Sequence, residues 1–310
     1  MSGVGQMDIK RIRCFLAVAN TLHFGRAAQS LDMLPASLGR QIRLLEDELD
    51  TRLFVRTTRN VSLSQAGLSI LDDARELVEQ TARFEQKVRS VRRAETAVLR
   101  VGAIDSAAAG LMPQLMQLLR QSHPEIEIQL IEQKTIHLLP KLLSGSVDLA
   151  FCRTPDVKDP RLHFRTLFFE TAVVAVPDSH PLADRAVIHI ADLADEPLIV
   201  PDRRSRPHSH DLTIKMFVDA GLTARIAQIA EEKHTIVNLV ATGTGVAIVP
   251  RWTSRLQVAG VRFVPIAMSE LGNQSKLVLA AAWPRGIRDP MRDAVVAVLE
   301  SHLKAIEATA

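Results

Sequence analysis

Two short amphipathic helical patterns around a three-residue turn constrain this chain more than any other feature. Ile9, Ile12, Phe15, Leu16 and Ala19 share one face of a first helix over residues 9–19. A second helix is expected from Phe24 to Leu31, with Ala27, Ala28 and Leu31 inward. Asp32-Met33-Leu34 is the turn. Pro35 then suits the first position of a third helix, where its missing N–H is harmless. That helix turns Leu38, Ile42, Leu45 and Leu49 to a core and leaves Ser37, Arg40, Gln41 and Arg43 outside. Helices joined this way make a helix-turn-helix, whose second helix has the dimensions of a DNA major groove.

Leu53–Arg56 and Val61–Leu63 read as two short strands around the basic turn Thr57-Thr58-Arg59-Asn60, a wing. Arg56, Thr58 and Arg59 could reach phosphates beside a groove. Ser64 is the N-cap of a long helix. Its Ile70, Leu77, Phe84 and Val91 repeat every seven residues, with Ala74, Thr81 and Val88 four later, a coiled-coil seam that needs a partner helix. Residues 1–60 hold nine Lys/Arg against six Asp/Glu, the whole +3 net charge of the chain, which hints at a nucleic-acid partner.

From Val98 the pattern alternates strands and helices. Strands are expected at Val98–Gly102, Ile126–Ile131, Val147–Phe151, Ala172–Val176, Leu198–Val200, Val246–Val249, Val261–Val264 and Leu277–Ala282. Helices are expected at Leu111–Gln121, Ile136–Leu143, Leu212–Ala220, Lys233–Ala241 and Pro290–Ile306. This implies α/β architecture with largely parallel sheets, in two subdomains with a ligand-sized cleft between them. The chain is 310 residues long and 47% apolar, ample for real cores. No apolar run is long enough to cross a membrane and no signal peptide is visible, so the expected setting is the cytoplasm. Cys14 and Cys152 exclude a disulfide framework and a Cys-only zinc site. Cys152 reads as a buried strand-end residue. His208 and His210 are too sparse for a metal site. Gly243-Thr244-Gly245 lacks the third glycine of a dinucleotide loop.

Several motifs stand in a fixed order: Ile12, Phe15 and Val18; Phe24-Gly25-Arg26-Ala27-Ala28; Leu38, Arg40-Gln41-Ile42 and Leu45-Glu46; Leu49, Arg52-Leu53-Phe54-Val55-Arg56; and Leu63-Ser64-Gln65-Ala66-Gly67. Leu99-Arg100-Val101-Gly102, Gly145 with Val147-Asp148, His180-Pro181-Leu182, Gly221-Leu222 and the stretch from Val240 to Pro250 continue it. The series resembles LysR-type transcriptional regulators over nearly the whole chain. The resemblance implies an α-helical winged helix-turn-helix over 1–63 and a linker and dimerisation helix over 64–95. It further implies a periplasmic-binding-protein-like effector domain over 96–310, with subdomain I at about 96–168 and 266–310 and subdomain II at about 169–265. It implies promoter DNA as partner, a dimer through the linker helix and a homotetramer. The function implied is that of a regulator rather than an enzyme, with no cofactor and no metal. Arg26, Pro35, Ala36, Ser37, Arg40, Gln41 and Arg43 then join the wing residues as DNA-contact candidates. Leu34, Pro35, Ala36 and Gly39 depart from the family pattern, so a glutamine–adenine contact is not available at 35.

The effector half looks like regulators of aromatic-compound catabolism, which implies an aromatic carboxylate or dicarboxylate effector. Ser106 and Thr135 match the positions that hold its carboxylates; each opens a helix, where amide N–H groups favour an anion. Arg153 matches a further pocket residue. The loop with Arg203, Arg206, Pro207 and His208 lines the cleft, its arginines suited to bidentate carboxylate recognition. Glu231 and Glu232 read as partners of a helix dipole. Two other classes are weighed: an α/β enzyme, which needs a nucleophile–base pair or a cofactor loop, and a solute carrier, which needs an export signal.

Overall fold

A computed structural model of the chain describes residues 8–56, 61–267 and 277–310, with backbone alone at 56, 82–83, 86–87 and 89–96. The chain divides into two compact units, 1–88 and 89–310.

In the first unit, α1 (Ile9–Thr21) is capped by Asp8, whose carboxylate accepts the Lys10 N–H at 2.8 Å. His23 Nδ1 caps α2 (Phe24–Ser30) by accepting the Arg26 N–H at 3.2 Å. Asp32 takes a positive φ of 52° in the turn, and Pro35 starts α3 (Pro35–Glu48) as expected. Phe15, Val18, Ala27, Leu38 and Ile42 are fully buried, and Phe54 of β1 (Phe54–Arg56) sits against both Phe15 and Phe24. β1 pairs antiparallel with β2 (Val61–Leu63), so the wing forms; its turn, with Thr58 and Arg59, lies outside the described residues.

The single long helix expected from Ser64 is two. Ser64 caps α4 (Gln65–Ser69), the chain bends at Ile70, and α5 (Leu71–Thr96) follows. Ser64 is held to the wing strand by donating to the Arg52 carbonyl at 2.6 Å. The bend divides the seam. Ala74 is buried with Ile70, Leu71 and Val78 packed on the unit's own core, whereas Leu77, Phe84 and Val88 are exposed. Val91 lies outside the described side chains.

The second unit has two lobes. Lobe I holds β3 (Val98–Ala103), α6 (Asp105–Ser122), β4 (Glu127–Glu132), α7 (Thr135–Leu143), β5 (Leu149–Arg153), β6 (Leu162–Glu170) and, from the end of the chain, β12 (Leu277–Pro284), α10 (Pro290–Ser301) and α11 (Leu303–Glu307). Its sheet runs β4-β3-β5-β12-β6. Lobe II holds β7 (Ala172–Pro177), β8 (Leu198–Pro201), α8 (Pro207–Asp219), β9 (Ile226–Ala230), α9 (Lys233–Ala241), β10 (Ala247–Pro250) and β11 (Val261–Pro265). The expectation of largely parallel sheets is corrected. β3 is parallel to β4 and β5, and β8 to β9, but β12 is antiparallel to β5 and β6, and β7 to β10 and β11.

β6 and β9 escape sequence reading. In β6 a register shift opposite Leu279 and Ala280 puts consecutive Leu167 and Phe168 inside, which erases the two-residue period. β9 lies largely exposed, so it has no buried alternate face to signal it. α6 begins six residues before the expected Leu111 because its first turns face the interior through small residues, Ser106, Ala107 and Gly110. A Cβ at Gly110 would fall 1.9–2.4 Å from three ring atoms of buried Trp252. Gly110→Ala should therefore cost about 3 kcal/mol by overpacking, a fall in melting temperature of about 6–12 °C for a domain of this size. An unchanged calorimetric transition would refute this packing. Helix Pro290–Ile306 is likewise interrupted, at His302.

Candidate functional site

On α3, the side chains of Pro35, Ala36, Ser37, Arg40 and Arg43 are exposed along one face; Gln41 is half-buried. No side chain caps the helix start, so its first amides remain available to an anion. Arg26, near the start of α2, is exposed, its guanidinium donating to the Thr21 carbonyl at 3.0 Å. The side chain of Arg56 lies outside the described residues, as do Thr58 and Arg59. Sequence reasoning gave Glu46 no role beyond the motif. Its buried carboxylate accepts from the Leu53 and Phe54 N–H groups at 2.8 and 3.2 Å and from Arg52 at 3.1 Å. It thereby fixes the last turn of the groove-sized helix to the wing strand.

In the second unit four helices begin around one cleft: α6 at Asp105, α7 at Thr135, α8 at Pro207 and α9 at Lys233. None of the four has a side-chain N-cap hydrogen bond. α1, α2, α4 and α10 are all capped by side chains. The starts of α7, α8 and α9 leave amide donors and positive helix ends directed at the space they share, while at α6 the Asp105 carboxylate accepts the Ser106 N–H at 2.8 Å. The cavity is about 140 Å³. Ile104, Ile136, Leu139, Pro155 and Pro207 give it apolar walls; Lys134, Arg153, Arg206 and Lys233 give it cations.

Asp105 stands among them, 2.6 Å from Lys233 Nζ and 2.9 Å from Arg206 Nη1. Burial works to raise its carboxyl, but Lys233 and then Arg206 outweigh that and hold it at about 2, fully ionised at neutral pH. Burial lowers Lys233 in spite of Asp105. Burial, then the charge of Arg153, also lowers His208, so its imidazole is neutral at pH 7. Lys134 bridges from lobe I to Glu231 at 2.6 Å and Glu232 at 2.8 Å on lobe II.

Thr135, Arg153, Arg206, Pro207 and His208 therefore line the cleft together, as the sequence suggests. Thr135 Oγ1 accepts the Arg153 N–H at 3.2 Å. Two expected residues do not line it. Ser106 is buried, donating to Glu170 at 3.0 Å and accepting from Arg153 Nη2 at 3.2 Å; the side chain one position earlier, Asp105, faces the cleft instead. Arg203 points away, exposed and paired with Asp211 at 2.7 Å. Glu232 stands at the N-cap position of α9 without a side-chain cap hydrogen bond, as a dipole partner would, and both Glu231 and Glu232 also bind Lys134 across the cleft. Asp105, Lys134 and Lys233 went unnoticed. The available signal was position, since each adjoins a strand-to-helix junction. Burial pushes Cys152 up to about 12, which leaves no reactive thiolate. Among the described residues no cluster of three or more His, Cys, Asp or Glu could hold a metal, and no helix is long and apolar enough to cross a membrane.

A winged helix-turn-helix followed by a two-lobed ligand-binding domain defines a ligand-responsive DNA-binding regulator. Residues 9–68 match the bacterial regulatory helix-turn-helix protein, lysR family, and residues 92–304 match the LysR substrate binding domain. The chain belongs to the LysR family of transcriptional regulators, and its relatives are named as regulators, not enzymes. It is 51% identical over 297 residues to the HTH-type transcriptional regulator TtuA of Agrobacterium vitis, covering 96% of this chain and 98% of that one. Full-length BenM is similar at 27% identity and a TM-score of 0.56, over 98% of this chain and 99% of that one. The BenM effector binding domain with its effector benzoate is similar at 28% identity and TM-score 0.56, over 68% of this chain and 92% of that one.

Proposed function

We propose that the protein controls transcription in the cytoplasm by binding promoter DNA through α3 and the wing, under control of a small organic anion in the cleft. The observation that carries the effector assignment is the convergence of four uncapped helix starts on one cavity with apolar walls. Amides and cations suit a carboxylate, and the walls suit a carbon skeleton. A cavity of about 150 Å³ holds benzene, so one of 140 Å³ matches an aromatic carboxylate or a short dicarboxylate. The benzoate named for the BenM domain is of this class. Thr135, Arg153, Arg206, Pro207 and His208 are the contact residues. Ser106 acts from behind, by holding Arg153.

Pro35, Ala36, Ser37, Arg40, Gln41 and Arg43 face the groove; Arg26, Arg56, Thr58 and Arg59 hold phosphates. Leu77, Phe84 and Val88 form the seam of a dimer, which doubles to a homotetramer. Effector closure of the cleft shifts the relative placement of subunits and hence of DNA half-sites. Mobility-shift titration of the protein on its own promoter should show affinity falling linearly with log salt, with a slope of about −0.9 per phosphate contact. Calorimetry of the protein against aromatic carboxylates and dicarboxylates should show binding that Thr135→Val weakens by about tenfold, the loss of one charge-assisted hydrogen bond. The absence of any shift at low salt would refute the DNA assignment. Undiminished affinity in Thr135→Val would refute the pocket.

A further inference from the structure

The cations of the cleft already have carboxylate partners. Lys233 and Arg206 share Asp105; Arg153 has Glu170; Lys134 has Glu231 and Glu232; and Arg206 Nη2 also reaches Glu232 Oε2 at 2.8 Å. An arriving anion meets a neutralised site. It gains a cation only where one of these carboxylates withdraws.

The four acids differ in their freedom to withdraw. Glu170 is wholly buried, and the Asp105 side chain is only 18% exposed. Glu231 and Glu232 are 57% and 56% exposed, on the bend between β9 and α9. Their carboxylates can turn into water at little cost, because exposed ion pairs are weak. Negative charge is also crowded there: partial burial, then Asp105 and Glu232, push the Glu132 carboxyl up. Withdrawal of Glu232 relieves that crowding. Both glutamates belong to lobe II and Lys134 to lobe I, so the same contacts tie the lobes together.

We propose that Glu231 and Glu232 are an internal stand-in for the effector, latching Lys134 and Arg206 across the cleft, and that the effector binds by replacing them with two carboxylates of its own. This rests on the effector-site reading above and sharpens its ligand class. Two departing carboxylates free two cations on opposite lobes, Lys134 and the Glu232-facing edge of Arg206. A dianion restores both pairs. A monoanion restores one pair only, leaving either Lys134 without a carboxylate or Arg206 with Asp105 alone. The latch also masks the site, so the measured affinity is the intrinsic affinity reduced by the unlatched fraction.

The full-length protein serves for the test, in two arms. A carbodiimide, applied without added carboxylate, should join Lys134 Nζ to Glu231 or Glu232 by an amide bond with loss of water, detected as a cross-linked peptide. Its absence overturns the latch. Calorimetry then compares succinate with butyrate, equal in carbon number but carrying two carboxylates and one. Wild-type protein should prefer succinate by about tenfold or more, and Glu231→Gln/Glu232→Gln should bind succinate about tenfold tighter than wild type, two exposed pairs having been removed. Succinate binding no tighter in the double variant, or butyrate binding as well as succinate, overturns the exchange. Benzoate binding equally to both forms overturns it too while leaving the effector-site reading intact. A cross-link that forms although no carboxylate binds either form defeats both.

Discussion

Arg153→Met should lower the melting temperature of the effector domain by about 10 °C. Arg153 and Glu170 form an ion pair beneath the cleft, with the Glu170 side chain wholly inaccessible and that of Arg153 nearly so. Ser106 is the other polar partner of Glu170 Oε2, and Glu170 Oε1 has no hydrogen-bond partner among the described residues. Removing the guanidinium leaves a carboxylate stranded in a dry interior, and breaking a buried pair in this way costs about 3–5 kcal/mol. At roughly 2–4 °C per kcal/mol for a domain of this size, the expected fall spans about 6–20 °C, which includes the value given. The double variant Arg153→Met/Glu170→Met removes both charges together and should recover most of it, because a buried pair contributes little against apolar residues of similar volume. Scanning calorimetry of the wild type, both single variants and the double variant checks the cycle. A single variant as stable as wild type, or a double variant no better than the singles, would show that the pair is not desolvated as described.

Arg40→Ala and Arg43→Ala should each weaken promoter binding by about 5- to 150-fold where the arginine reads a base edge, the 1–3 kcal/mol of a bidentate contact. Both project from the exposed face of α3 while Leu38, Ile42 and Leu45 anchor the opposite face, so truncation removes a contact and leaves the core alone. Anisotropy titrations on the promoter and on an unrelated duplex separate two roles. A base-reading arginine loses discrimination between the duplexes. A phosphate-binding one weakens both equally and flattens the salt slope by about one. Unchanged affinity for the promoter in both variants would remove α3 from the groove.

The first unit was legible because its information is local. Apolar residues three and four apart, a proline at a helix start and a short basic turn between strands all act over a few residues. What failed there was long-range. Ser64 bonds back to the Arg52 carbonyl ahead of the helix break at Ile70, and Glu46 reaches seven residues forward to the amide of Leu53. In the second unit, strands that are short continuous apolar runs, β5, β7, β8 and β10, are legible, whereas β6 and β9 are not, one blurred by a register shift and the other without a buried face.

Residue types and their spacing established a DNA-reading module joined to a two-lobed ligand domain, while Thr135, Arg153 and Arg206 entered as cleft residues through the family resemblance. Which side chains meet in that cleft was decided only by the tertiary fold. Helix phase turned Asp105 toward the space and Ser106 away from it. The packing of the lobes places Glu231 and Glu232 against Lys134, nearly a hundred residues away along the chain. Pattern reading follows the periodicity of one element at a time, while the meeting of charges across a cleft depends on how separate elements pack, and no local period records that.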